Sequence, residues 1–485
     1  MGRYFVVFFF TSAALSFSAE TAFPQIEAES WAYQYASLGQ QDQLMWQDIT
    51  RLSLHASGIS ASQQALLEQR IFDMVKAVRS DPALPVNLRE RGEYILTVIH
   101  SKFLKKYSSG QTRIDTLVQN GTFNCVSSAV FYMIFARAAD MEVQGIMTHD
   151  HAFVSVNVGT KSQPERVDVE TTNKFGFDPG NKKEFQTAFG QTGFVYTPAH
   201  NYRDRTNISQ LELISLIITN RMSDIEKRKD LESSITLAAN RAALLSNRSN
   251  PVPSSNAIFP DPIKTLTDRL RNYGAFLSNS GYEAEALQWS QQVQSDYPDP
   301  WWEEFNYATV NNWVNRLVQR KQFSQARQTL NANADFLTGD KYAELNAQLT
   351  DSELVVQSKS IRTVREAENF LVTVNNTYSQ ALISTSRATE MRSFAIAKIA
   401  EIYAKEKGTK EAMQYLESTI ALYGSTSQLN TMLRTYRANR VSELHNTFAR
   451  LWNSGNKETA SIFLKGALEE FPDNAQLLKD WSTIN

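Results

Sequence analysis

The sequence predicts an α+β core behind a helical N-terminal segment, followed by an all-α solenoid. Three observations carry this. A helix-period run opens at Cys125, the only cysteine, and two alternating valine-rich stretches follow at residues 151–158 and 166–170. Residues 24–105 place apolar side chains at steps of three and four. From residue 208 onward the chain reads as successive helices with recurring turn signals.

From its start, the chain runs Met1-Gly-Arg and then mostly apolar residues to Leu15, with small Ser16, Ser18 and Ala19 after them. This pattern predicts a signal peptide over residues 1–18, or else an uncleaved N-terminal anchor, and export to the periplasm or beyond; the Asn120 sequon, five residues before Cys125 where a glycan would obstruct it, favours a bacterial host. No cysteine follows the apolar run, so lipidation there is excluded, and no later stretch reaches membrane-spanning length. The 485 residues suggest two to four domains. Lys plus Arg total 49 against 51 Asp plus Glu, a net charge of −2 that offers nothing to nucleic acid.

Residues 24–105 read as a helical cap. Leu66, Ile71, Met74, Val75 and Val78 share one face, Asp81 to Pro85 breaks the chain, and Leu88, Tyr94, Ile95, Val98, Ile99 and Phe103 mark a long helix ending near Tyr107. His55 and His100 read as ordinary helix residues.

The core, residues 106–205, turns on Asn120-Gly-Thr-Phe-Asn-Cys125. Thr122 or Asn124 is placed to cap a helix, and Val126, Val130, Met133, Ile134 and Arg137 predict an amphipathic one. Cys125 then falls in the first turn, where unpaired N–H groups and the helix dipole favour a thiolate. In an exported chain a lone cysteine forms no internal disulfide. His151 heads a strand whose one face carries Phe153, Ser155 and Asn157. With Gly159-Thr160 as a two-residue hairpin, Val158 pairs with Lys161 and Pro164 lies opposite Ser155. Asp168 then faces His151, their Cβ atoms about 4.5–5.5 Å apart. Cys125, His151 and Asp168 in that order predict a thiol acyl-transfer site. His149 and Glu170 form the next expected pair. With six histidines and no second cysteine, a metal site lacks ligands, and no cofactor is expected.

The runs N-C-V-S-S-A-V-F-Y, H-A-F-V-S-V and V-D-V-E-T-T resemble the core of the transglutaminase-like superfamily, a branch of the papain-like fold. The match covers roughly residues 105–180. Phe153 stands where that family usually has Trp, and Thr171 sits one place beyond the usual D-x-T spacing. The resemblance implies Cys125 as nucleophile, His151 as general base and acid, and Asp168 as the orienting carboxylate. Papain-like proteases place an oxyanion-stabilising Gln six residues before the cysteine, which implies Gln119 here; the Cys125 N–H is the alternative donor.

After an irregular polar link at residues 196–205, three stretches resemble the tetratricopeptide repeat: those around Gly281, Gly408 and Gly455, each with an aromatic before the glycine and small residues after it. Residues 316–330 look like a degenerate copy. The expected solenoid spans residues 206–485 and presents a surface to a protein partner. Trp289, Trp313 and Trp452 read as inter-repeat packing, and Trp301-Trp302 as the exposed aromatic pair.

Two functions remain open from sequence. One is an exported cysteine enzyme acting on a protein or peptide amide, as a peptidase, amidase or transglutaminase. The other is a catalytically idle domain within a protein-binding scaffold.

Overall fold

The computed structural model describes residues 23–38, 44–160, 162–181, 205–246 and 259–484. The expected signal peptide and most of the 196–205 link lie outside them. The chain divides into two compact units between Tyr297 and Pro298.

In the first unit, α1 (Ser30–Leu38), α2 (Trp46–Ala56), α3 (Ala61–Arg79) and α4 (Leu88–Lys102) precede a short parallel pair, β1 (Lys106–Tyr107) with β2 (Thr122–Phe123). Between these strands lies α5 (Ile114–Asn120), stopped at Gly121, whose φ of 74° is left-handed. Next comes α6 (Cys125–Ala138), then β3 (Val143–Met147), β4 (Ala152–Asn157), β5 (Arg166–Val169) and β6 (Thr206–Ile208). The last four form one antiparallel sheet in the order β5-β4-β3-β6. The unit closes with α7 (Gln210–Lys227), α8 (Leu231–Leu244), α9 (Pro262–Asn279) and α10 (Glu283–Asp296).

The fold is organised on α6. All its residues except Cys125 and Arg137 are buried, because β3 and β4 lie against it together with α2, α3, α4 and α7. An amphipathic face was expected; a helix enclosed this way is apolar all round instead. Strands β3 and β6 were not anticipated. Gly145 in β3 lets β6 approach, since a Cβ there would lie 2.8 Å from Ile208.

The expected α+β papain-like/transglutaminase-like core is corrected by this architecture. Helix accounts for 71% of the described residues and strand for only 5%, in two small sheets. The valine alternation is real, but each strand is too short to build a layer, so helices supply the core. The expected boundary at 205/206 also falls inside the first unit, because α7 packs on β3, α2 and α6, and α8 packs on α1.

The second unit is helical throughout its described residues: α11 (Trp301–Gln319), α12 (Phe323–Ala332), α13 (Gly339–Ser360), α14 (Val364–Ser379), α15 (Thr385–Glu406), α16 (Thr409–Tyr423), α17 (Ser427–Asn453), α18 (Lys457–Glu470) and α19 (Ala475–Ile484). Each helix packs on the next. Buried alanines allow close approach, with Ala367, Ala388 and Ala395 around Phe370, and Ala460 and Ala467 beside Phe448. Trp302, expected to be exposed, is fully buried against Phe305, while Trp289 is buried in the first unit with Nε1 donating to the Leu270 carbonyl.

Candidate active site

Asn124 caps α6. Its Oδ1 accepts from Ser127 N at 2.9 Å, and Ser127 Oγ accepts from Asn124 N at 2.9 Å, a reciprocal box that fixes the first turn. Ser109 and Gln111 carbonyls brace the same two side chains. Cys125 is therefore held at the first helical position, partly exposed and free.

His151 lies just before β4, at the foot of a hairpin closed by Thr148 N donating to the His151 carbonyl. Its ring is buried. Nε2 meets Glu170 Oε2 at 2.6 Å, and Cys125 stands near enough to act on the ring, so Nδ1 is the nitrogen left to serve the sulfur. Burial alone would lower the imidazole pKa; the Glu170 carboxylate and Cys125 outweigh it, and the pKa is raised. Burial would raise the Glu170 carboxyl, but His151 and Thr172 outweigh this and hold it below the ordinary range.

Glu170 is itself built in. Its Oε1 accepts from Thr172 N at 3.0 Å and Thr172 Oγ1 at 2.6 Å, and its N–H donates to the Gly176 carbonyl at 2.7 Å. Next to it, Thr171 shares a hydrogen bond with Ser128 on α6, and its carbonyl meets His100 Nε2 at 3.0 Å. His100, read as an ordinary helix residue, thus ties α4 to the acid. Burial, the largest influence, lowers its pKa to about 4, so it is neutral near neutral pH.

The expected carboxylate was Asp168, and the structure puts it elsewhere. Asn157 pairs with Arg166 and Ser155 with Asp168, where a two-residue turn would have paired Asn157 with Ser162. The loop is longer because Asn157 Oδ1 accepts from both Gly159 N and Glu165 N, and Val158 N donates to the Glu165 carbonyl. The slip of four residues is even, so it keeps the same side chains on the same face. It carries Asp168 away from His151 and brings Glu170 in. Pro164 consequently faces no strand partner at Ser155. Asp168 instead makes a two-pronged ion pair with Arg205, both contacts at 2.7 Å, and Arg205 lies over the Phe153 ring. The expected His149–Glu170 pair does not form; His149 is exposed at the hairpin tip.

Gln119 is exposed on the last turn of α5, and no hydrogen bond at the thiol–imidazole pair involves it among the described residues. Tyr107 is closer to the chemistry. Burial raises its phenol pKa, and the charges of Cys125 and Glu170 push it further up. Sequence reasoning missed Tyr107, and nothing local marks it.

No family model, curated protein or solved structure matches the chain. The geometry therefore stands on its own. Among the described residues there is no group of three or more His, Cys, Asp or Glu side chains placed to hold a metal. No described helix is long and apolar enough to cross a membrane.

Proposed function

We propose that this protein is a thiol acyl-transfer enzyme acting on an amide, with Cys125 as nucleophile, His151 as general base and acid, and Glu170 as the orienting carboxylate. One observation carries the reading: the buried His151 ring meets a buried Glu170 at 2.6 Å from Nε2, with a partly exposed Cys125 near enough to raise the imidazole pKa. The motif resemblance noted in the sequence supports the same chemistry.

Sγ attacks the carbonyl as the thiolate, and His151, which its raised pKa keeps protonated near neutral pH, gives that proton to the departing amine; the neutral ring then takes a proton from the water or amine that attacks the thioester. Glu170 fixes the ring orientation and stabilises the imidazolium. The Cys125 N–H, one of the first-turn donors without an intrahelical acceptor, faces the oxyanion. The thioester is then resolved by water, giving a peptidase or amidase, or by an amine, giving a transglutaminase. On this reading the substrate is a protein or peptide, and the helices beyond residue 206 serve partner or substrate binding.

The test is casein hydrolysis alongside incorporation of dansylcadaverine into casein, for the wild type and Cys125→Ala. Activity in the wild type that disappears in the variant supports the proposal. Activity that survives in Cys125→Ala removes the thiol from the mechanism.

A further inference from the structure

Away from the thiol, α1, the α2–α3 turn, α7 and α8 line an open cavity of about 560 Å³. Its size suits a small organic molecule. Trp31, Ile59, Ile218 and Leu237 give it an apolar wall, and Arg221 and Asn240 reach into it. The Trp31 ring lies flat on His55, with centroids 5.3 Å apart and planes 10° apart.

Arg221 is built into the wall. One terminal nitrogen donates to the Ala56 carbonyl at 2.6 Å, and the guanidinium lies flat across Gly58. The turn has a φ of +72°, which favours glycine, and a Cβ on Gly58 would displace the guanidinium, coming within 2.2 Å of it. Among the described residues no carboxylate stands within ion-pair distance of Arg221. Burial, and then the neighbouring Arg113, lower its pKa to about 10, offset in part by Glu29 and Asp115. Arg113, Arg221 and Arg228 also line an adjoining cavity of about 200 Å³, where Arg113 is chelated by Asp115. The Glu29 carboxylate, on the opposite wall, is taken up by Trp31 Nε1 and Asn240 Nδ2. A partly buried cation whose nearest carboxylates, Glu29 and Asp115, are bonded to other groups is costly, and a bound anion lessens that cost.

We propose that this cavity is a binding site for a small organic anion, its apolar or aromatic body beside Trp31 and its oxyanion head on Arg221. The site is independent of the thiol chemistry, so it is tested on the full chain carrying Cys125→Ala. Calorimetric titration compares phenyl phosphate and benzoate with uncharged benzamide and with inorganic phosphate, which lacks the apolar body. One of the two aromatic anions binds most tightly, and which one does so distinguishes a phosphate head from a carboxylate. Arg221→Gln weakens that binding about 10- to 100-fold, as expected for loss of a charge-assisted contact. Ser233 is exposed at the cavity rim, so Ser233→Trp blocks entry with the unfolding midpoint unchanged and serves if Arg221→Gln does not fold. Failure of both aromatic anions to bind, or undiminished binding in Ser233→Trp, overturns the proposal.

Discussion

His151 Nε2 and Glu170 Oε2 lie 2.6 Å apart in a pocket that buries both side chains, while Asp168 on the same strand face is held by Arg205. Choosing between the two acids is the sharpest consequence of the strand register. Glu170→Gln is expected to lower casein turnover by about 10²–10⁴-fold, the scale for loss of an orienting carboxylate. Asp168→Asn, which breaks the Arg205 pair, is expected to leave turnover near the wild-type rate. Steady-state kinetics of the two variants side by side checks the assignment.

The same pair sets a pH window for stability. The Glu170 carboxyl is lowered on folding, so its contribution is complete above the ordinary value of 4.5 and is lost as pH falls through the folded value. The His151 pKa is raised, so its contribution is complete below the ordinary 6.5 and is lost as pH rises through the folded value. The stability gap between wild type and Glu170→Ala should therefore be widest between these two values, at about 3–5 kcal/mol for a broken buried pair. Urea titrations across pH measure it; a gap that grows steadily toward alkaline pH contradicts the coupling.

His100 titrates the other way. Its folded pKa of about 4 lies below the ordinary 6.5, so the wild type loses stability as pH falls between these values. In His100→Gln, where an amide can still donate to the Thr171 carbonyl, that acid-side loss should shrink. Thermal melts of both proteins over the same pH range read the difference.

Gly176 holds the acid from behind. A Cβ there would lie 1.9 Å from the Glu170 carbonyl oxygen, too close for any side chain without backbone movement. Gly176→Ala is expected to cost about 1–3 kcal/mol and to reduce casein turnover along with it. Full activity and an unchanged melting temperature would show that Glu170 tolerates displacement.

The thiol end of this site was legible in the sequence because its determinants are local. Asn124, Cys125 and Ser127 sit within one turn, and a capping residue before an apolar run states where the helix begins. The acid was not legible because it depends on loop length. Alternation fixed which face Asp168 and Glu170 share, but Asn157 bridging Gly159 and Glu165 decided which of them reaches His151. His100 and Tyr107 reach the site only through tertiary packing, so periodicity had nothing to say of them. The glycine turns fared better: Gly281, Gly408 and Gly455 all adopt positive φ between paired helices, a conformation glycine takes without strain. The balance of helix to strand was misjudged, since three-to-six-residue strands announce themselves by valine while the helices around them carry the packing.

The rate of Cys125 alkylation by iodoacetamide tests the central claim most directly, because the chain has one cysteine and every adduct reports on it. At neutral pH, His151→Ala should slow alkylation by about tenfold or more relative to wild type, since the imidazolium that favours the thiolate is gone. Glu170→Gln should fall between them. Equal rates in wild type and His151→Ala, with both proteins folded, would contradict an activated thiol at this site.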